Sequence, residues 1–503
     1  MVEQNKDIKK DEQAAPSVPK DELVETKHSI IIDGKEIKYT VTCGTIVLKE
    51  ESEKKGEKEG ESEGEKPRAS IFFVAYTLDE VKDKQKRPLT FSFNGGPGSS
   101  SVWLHLGLLG PRRVLLDDDG FAYPPPYSLV DSAYSLLDTT DLVFIDPVST
   151  GFSRVVTGEK PKQFHGFKKD IESVGDFIRL YATRYQRWTS PKFLIGESYG
   201  TTRAAGLSGY LQERHGMYMN GIMLISSILN FQTAHFTTGN DMPYILFLPT
   251  YTATAWYHRR LSEDLEKDLH ATLAEVEAFS LGDYAHALMQ GDDLQDEERL
   301  LITRKLARYT GLSEDYIDST NLRIGIFRFT KELLRHAKRT VGRLDSRFKG
   351  IDRDSAGEYF EFDPSMSNIT GPYTATLNDY VRGELKFESD LPYEILTERV
   401  HPWSYAEFEN TYVNVAETLR KAMTTNPNLK VYVANGYFDL ATPYLATRYT
   451  FKHLGLDKSL LENMRMGFFE AGHMMYIHIP SLEKLKNELV GFIRWSMPAP
   501  QGS

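Results

Sequence analysis

Lys192-Phe193-Leu194-Ile195-Gly196-Glu197-Ser198-Tyr199-Gly200 is an apolar run that ends in Gly-x-Ser-x-Gly. That pattern marks a nucleophile elbow, where a strand stops abruptly, a serine sits at the tip of a strained turn, and a helix begins. Side chains at 196 or 200 would collide with neighbouring backbone, and the serine must stand clear to meet a substrate carbonyl. The surroundings agree. Lys192 to Ile195 reads as a buried strand and Thr201 to Glu213 as a helix. The competing reading is a glycine-flanked turn serine without chemistry, and strand before plus helix after favour the nucleophile.

Further apolar runs, typical of buried parallel strands, lie at 69–76, 88–94, 141–148, 221–229, 430–435 and 466–471. Helical patterns intervene, the best of them from Phe167 to Tyr185 with apolar residues at alternating steps of four and three. Alternating strands and helices predict an α/β fold, a mostly parallel central sheet with helices on both faces. Residues 1–25 read as a disordered tail. The core begins at 26, with strands at His28–Asp33 and Glu36–Leu48, and its first part runs to 231. Residues 49–68, built almost wholly of Glu, Lys, Gly and Ser, read as a solvated loop. From 232 to 405 the strand rhythm breaks, and amphipathic stretches at 261–279, 296–309 and 327–341 predict a largely helical cap insertion. Residues 406–503 complete the core. Such an insertion would overhang the strand ends, where open α/β sheets bind ligands. The aromatics from Tyr244 to Tyr257 could line that pocket, but at this spacing they are more often core.

A serine hydroxyl needs a base to take its proton. In the α/β-hydrolase order Ser, Asp or Glu, His, two later sites qualify. Asp439 follows the strand 430–435, and His473 follows 466–471 beside Gly472. His478 is the rival base but lies in an apolar stretch, as packed histidines do. Asn94-Gly95-Gly96-Pro97-Gly98-Ser99-Ser100-Ser101, after the strand 88–93, stands where a glycine-rich loop builds an oxyanion hole, with the N–H groups of Gly96 and Tyr199 as donors. The loop lacks the Gly-Lys-Ser/Thr ending of a phosphate-binding loop and the Gly-x-Gly-x-x-Gly spacing of a dinucleotide site.

Composition narrows the class. Of 503 residues 40% are hydrophobic and the net charge is −11, which argues against nucleic acid or an anionic membrane as partner. Cys43 is the single cysteine, so no internal disulfide forms, and a reducing compartment is favoured. No stretch reaches the roughly 18 apolar residues of a membrane span, and the polar start has no apolar core of signal-peptide length. A cytoplasmic setting is the expectation; a leader cleaved from the chain would leave the same appearance. No metal motif is evident and no cofactor is expected. Asn368-Ile369-Thr370 fits a glycosylation acceptor by chance in such a setting. The assembly is open, with a homodimer the state to test.

Asn94-Gly-Gly-Pro-Gly-Ser-Ser, Gly196-Glu-Ser-Tyr-Gly and Ala471-Gly-His473-Met together resemble the serine carboxypeptidases, peptidase family S10 of the α/β-hydrolase superfamily, in a disulfide-free, bacterial-type form. Pro126-Tyr127-Ser128 and Asp146-Pro-Val-Ser-Thr-Gly-Phe-Ser153 support the match, which covers roughly 85–240 and 425–495. The resemblance implies hydrolysis of a C-terminal peptide bond at acidic pH, on a peptide with a free C-terminus, by Ser198, His473 and Asp439. It also implies that Asn94, the Gly95 N–H and Glu197 hold the terminal carboxylate. A carboxyl facing a carboxylate must be protonated to donate, so binding should weaken as Glu197 ionises. Three departures stand out. Leu108 occupies the place of a second glutamate before Gly110-Pro111, Ser92 that of a tryptophan, and Ser99 that of a cysteine. Loss of the second glutamate leads us to expect a less acidic pH optimum. An esterase or acyltransferase with the same triad is the alternative, and a catalytically dead scaffold is disfavoured because every triad member is present.

Overall fold

The computed structural model describes residues 19–53 and 61–497. Nine strands form the main path of its central sheet: β1 (Glu22–Ile32), β2 (Lys35–Glu53), β3 (Ser62–Leu78), β4 (Leu89–Phe93), β5 (Asp141–Ile145), β6 (Lys192–Glu197), β7 (Gly221–Ile225), β8 (Lys430–Gly436) and β9 (Met464–Phe469). Their spatial order is β1-β2-β3-β5-β4-β6-β7-β8-β9, with the two-residue strand Arg154–Val155 pairing on β3 as a tenth. From β5 to β9 every pairing is parallel. Strands β4 to β7 are buried end to end, which explains their unbroken apolar runs.

The run 69–76 was expected to be parallel. It lies in β3, antiparallel to β2 on one side and to β5 on the other. Both kinds of buried strand read alike, so burial concealed the direction. The expected loop 49–68 is shorter than its composition implied. β2 continues to Glu53 and β3 starts at Ser62, with Glu50 opposite Lys66 and Arg68 reaching Glu50 at 3.3 Å. Opposite charges across the hairpin let a strand form where no apolar surface is buried. The expected tail 1–25 is ordered from Glu22 onward, because β1 pairs along its whole length with β2; its first 18 residues lie outside the described ones, as do 54–60 of the loop.

Alternation along each strand feeds two cores. Phe193 and Ile195 face one side with Tyr373, Tyr380 and Leu485, while Leu194 faces the other with Ile171, Val174, Ala204 and Leu419. Helices α1 (Phe167–Arg184) and α2 (Tyr199–His215) cover the second face. Between β7 and β8, helices α3 (Met242–Tyr257), α4 (Leu269–Phe279) and α5 (Asp296–Thr310) close round a core of their own that includes Phe247, Tyr251 and Leu306. Phe247 and Tyr251 of α3 are therefore packing groups, while Tyr257 is 38% exposed. Helix α4 starts eight residues later than its pattern implied, where Asp268 caps it by accepting from the Ala271 N–H at 3.1 Å.

The helix expected over 327–341 ends at Glu332, Lys338 takes a left-handed φ of 54°, and Thr340–Val341 pairs with Lys349–Gly350. This turn sends Arg343 to Asp345 back toward the sheet. Helix α6 (Pro364–Gly383) also leaves the cap and packs Tyr373, Leu377 and Tyr380 on the sheet's first face. Helices α7 (Ala416–Thr425), α8 (Tyr444–Lys452) and α9 (Ile479–Trp495) complete the described core. The C-terminal ends of β4, β6, β7, β8 and β9 share one edge, so the loops after them meet there.

Candidate active site

Ser198 stands between β6 and α2 with φ 59° and ψ −128°, a conformation that side-chain-bearing residues rarely hold. The turn is tight enough to dictate its neighbours. A Cβ on Gly196 would lie 2.1 Å from the Gly200 carbonyl oxygen, and one on Gly95 would lie 2.5 Å from the Tyr199 nitrogen. The loop after β4 thus presses directly on the elbow.

Asp439 and His473 arrive on the loops after β8 and β9. His473 Nδ1 lies 2.7 Å from Asp439 Oδ2, and Thr442 Oγ1 donates to the same oxygen at 2.6 Å. The other oxygen, Oδ1, accepts from the Ala441 and Thr442 N–H groups at 2.8 and 3.0 Å. An ionised carboxylate only accepts, so Nδ1 carries the ring proton and Nε2 is left as the base. Burial pushes Asp439 up, but the imidazole and the Thr442 donors outweigh it and hold the carboxyl below its usual range. Burial likewise pulls His473 down, and the Asp439 charge overrides it, leaving the imidazole above its ordinary value. Among the described residues no hydrogen bond joins the Ser198 hydroxyl to this ring. Such bonds are commonly long without substrate and tighten around it.

The histidine loop is clamped by residues that precede it by more than a hundred positions. The His473 N–H donates to the Leu344 carbonyl at 2.7 Å, Gly472 N–H to Asp345 Oδ2 at 3.1 Å, and Ser226 Oγ to the His473 carbonyl at 2.6 Å. Asp345 is itself paired with Arg347 at 2.7 Å, both 4% exposed. His478 instead meets Ser481 Oγ at 2.8 Å, at the start of α9, as a packed histidine would.

Ser198, His473, Asn94, Gly95, Gly96, Glu197 and Tyr199 all line one cavity of about 360 Å³, and Asp439 backs His473 from behind it. The Gly96 and Tyr199 N–H groups have no acceptor among the described residues. Asn94 is fixed at two points: its Oδ1 accepts from the Leu104 N–H at 3.1 Å, and its carbonyl accepts from Arg203, which forms a buried pair with Asp170 at 2.8 Å. Its Nδ2 is buried and makes no well-aligned hydrogen bond among the described residues, but it lies close enough to the Glu197 carboxyl to favour its ionised form.

Glu197 is 3% exposed, and burial pushes its carboxyl up to about 7, against the downward pull of His473, Tyr476 and Asn94. This corrects the reasoning from the missing glutamate. A lost like charge would by itself lower Glu197, whereas burial, the largest cause, raises it and the Asp439 charge adds to the rise. Leu108 lies in the π-helical turn His105–Leu109, packed in the core. The Tyr476 hydroxyl donates to Glu197 Oε2. Ser92 is fully buried in β4, and the aromatic residues lining the cavity are Tyr199, Phe231, Tyr405 and Trp103, whose Nε1 donates to Ser99 Oγ at 2.8 Å. Sequence reading missed Trp103, Tyr476, Asp345 and the Arg203–Asp170 pair. Asn368, the chance glycosylation acceptor, bonds the Gly120 carbonyl and the Ala122 N–H, each at 2.9 Å.

The profile of one protein family, described as serine carboxypeptidase (peptidase S10), matches residues 61–472. The chain belongs to that family. Among curated relatives, serine carboxypeptidase-like 34 of Arabidopsis thaliana is 23% identical over 399 residues, 75% of this chain and 70% of that protein. Serine carboxypeptidase-like 9 of the same plant is 28% identical over 132 residues, and the pheromone-processing carboxypeptidase KEX1 of Saccharomyces cerevisiae 33% over 135. Those two matches cover 26% and 25% of this chain and span only 29% and 17% of the respective relatives. The crystal structure of Kex1(Δ)p, a prohormone-processing carboxypeptidase from S. cerevisiae, superposes with a TM-score of 0.56 at 17% identity, covering 90% of this chain and 91% of that one. That likeness is one of fold. As a member of the family, this S10 chain has the α/β-hydrolase architecture its strand order displays.

Proposed function

We propose that the chain is a serine carboxypeptidase that releases C-terminal residues from peptides through an acyl-enzyme intermediate. Ser198 Oγ attacks the scissile carbonyl while His473 Nε2 takes its proton and then returns it to the leaving amine. Asp439 orients the ring and stabilises the imidazolium. The N–H groups of Gly96 and Tyr199 hold the oxyanion, and water, activated by the same histidine, releases the acyl group. Asn94 Nδ2, the Gly95 N–H and a protonated Glu197 hold the substrate's terminal carboxylate.

The observation that carries this reading is Glu197. A carboxyl pushed to about 7 in the cavity that holds Ser198 and His473 has little use to an esterase, but it gives a carboxypeptidase a neutral donor for a carboxylate. Elsewhere the cavity is walled by the apolar side chains of Ile228, Leu396 and Met366 and by Arg343, Glu398 and His401. The lone cysteine, buried in β2, fits a reducing compartment, and a cytoplasmic location is part of the proposal. Peptides with free and amidated C-termini, assayed from pH 4 to 8 beside Ser198→Ala, test it. Amidation removes charge-assisted hydrogen bonds and should lower kcat/KM by about a hundredfold or more. Equal turnover of the two forms would point to an esterase or acyltransferase.

A further inference from the structure

Glu197 needs more than a raised pKa to bind a carboxylate; its proton must sit on the oxygen that faces the substrate. Tyr476, fully buried in the turn after His473, donates its hydroxyl to Oε2. An oxygen that accepts this bond is the poorer place for the proton, so in the neutral acid the proton goes to Oε1. The arrangement is built in. Gly107 lies under the ring of Tyr476 and the hydroxyl of Tyr373, where a Cβ would come within 2.5 and 2.7 Å of them. The π-helical turn His105–Leu109 thus makes room for two tyrosines beside the carboxyl. We propose that Tyr476 is a positioning residue for C-terminal recognition, fixing which oxygen of Glu197 carries the proton and setting the pH at which the site loses its hold on a free carboxylate.

This rests on the carboxypeptidase reading above. The other groups that act on Glu197 are accounted for: His473 and Asn94 favour its ionised form, Asp439 disfavours it, and Tyr373 is a neutral neighbour. Tyr476 favours the ionised form too, since its hydroxyl donates to the carboxylate. Removing that donor leaves burial less opposed, so the carboxyl should stay protonated to higher pH.

The test is the pH profile of kcat/KM for Tyr476→Phe on a peptide with a free C-terminus, with fluorophosphonate labelling of Ser198 to register an intact site. The alkaline limb should move up by roughly one pH unit, the order of effect of one hydrogen bond to a carboxylate, and KM at pH 5 should rise severalfold. In a Glu197→Gln background the same change should move no limb. A Tyr476 that served packing alone would scale activity equally at every pH. A limb that stays in place in the labelled variant overturns the proposal. So does a shift that persists when Glu197 is glutamine, which can be measured even where Tyr476→Phe alone labels weakly. Failure of the underlying reading shows elsewhere, as a wild-type enzyme indifferent to C-terminal amidation.

Discussion

Replacing Glu197 by glutamine separates the acid's two attributes, its donor capacity and its titration. The amide keeps a donor at every pH, while the carboxyl keeps one only below its pKa. With that pKa near 7, the wild-type carboxyl is about nine-tenths protonated at pH 6 and about one-tenth at pH 8. If only the protonated form holds the substrate, this factor alone lowers kcat/KM about tenfold between those values and about tenfold more per further unit, set against the gain as His473, whose own pKa is raised, loses its proton over the same range. In Glu197→Gln that fall should vanish, and the acidic limb should remain because His473 must still be neutral to accept a proton. The two groups interact, so both limbs in the wild type are macroscopic constants of the pair. The assay is initial-rate release from a blocked dipeptide across pH 4 to 9, with the same peptide amidated as reference. A glutamine variant that loses activity between pH 6 and 8 as steeply as the wild type would refute the assignment of Glu197 as the titrating anchor. A wild-type optimum below about pH 5 would refute the raised carboxyl itself, because Glu197 should be protonated well above that.

Two further predictions bear on other parts of the site. Asp439→Asn should leave the fold intact and lower kcat by about 10⁴-fold, because an amide in place of the carboxylate no longer selects the tautomer with a free Nε2; a loss under tenfold in steady-state kinetics would remove Asp439 from the triad. Asp170→Asn strands Arg203, 1% exposed, as a buried charge and should cost about 3–5 kcal/mol in urea unfolding. It should also raise KM for free-carboxyl peptides, since Arg203 holds the Asn94 carbonyl; a stability change under about 1 kcal/mol would show that the pair is not what supports the loop.

What could be read in the chain divides by the range of the interactions involved. The elbow, the glycine loop and the His473 turn each carry their requirement locally: close backbone approach forces glycine, and a strand end presents the reactive group. Those segments stood out because no other residue type fits. Tyr476 and Asp345 act across 279 and 127 positions, on Glu197 and on Gly472. Nothing near them in sequence distinguishes an anchoring tyrosine from a core one or a clamping aspartate from a surface one. Tyr476 does follow His473 by three residues, on the same turn, and an aromatic so close to the base was the one signal available. Strand direction failed for a related reason, since β3 buries both faces whichever way its neighbours run. Charge deceived in the hairpin β2–β3, where composition spoke of solvent and cross-strand pairing prevailed.

The insertion between β7 and β8 is more than a cover. Leu344 and Asp345 take the N–H groups of His473 and Gly472, and the segment 394–397 bonds the glycine loop through Ser100 N–H to the Ile395 carbonyl at 3.0 Å and Thr397 N–H to the Gly98 carbonyl at 3.0 Å. Both halves of the catalytic edge, base and oxyanion loop, are therefore tied to the segment that also walls the substrate cavity. An enzyme whose specificity wall merely overhung the sheet could vary that wall with no effect on the position of the base. Here a change in the wall is transmitted through three backbone hydrogen bonds and one to the Asp345 carboxylate, to groups whose placement within a fraction of an ångström governs the chemical step. On the carboxypeptidase reading, a change in the specificity wall should therefore also change turnover, with the segment 394–397 and the Arg343–Asp345 turn carrying that coupling.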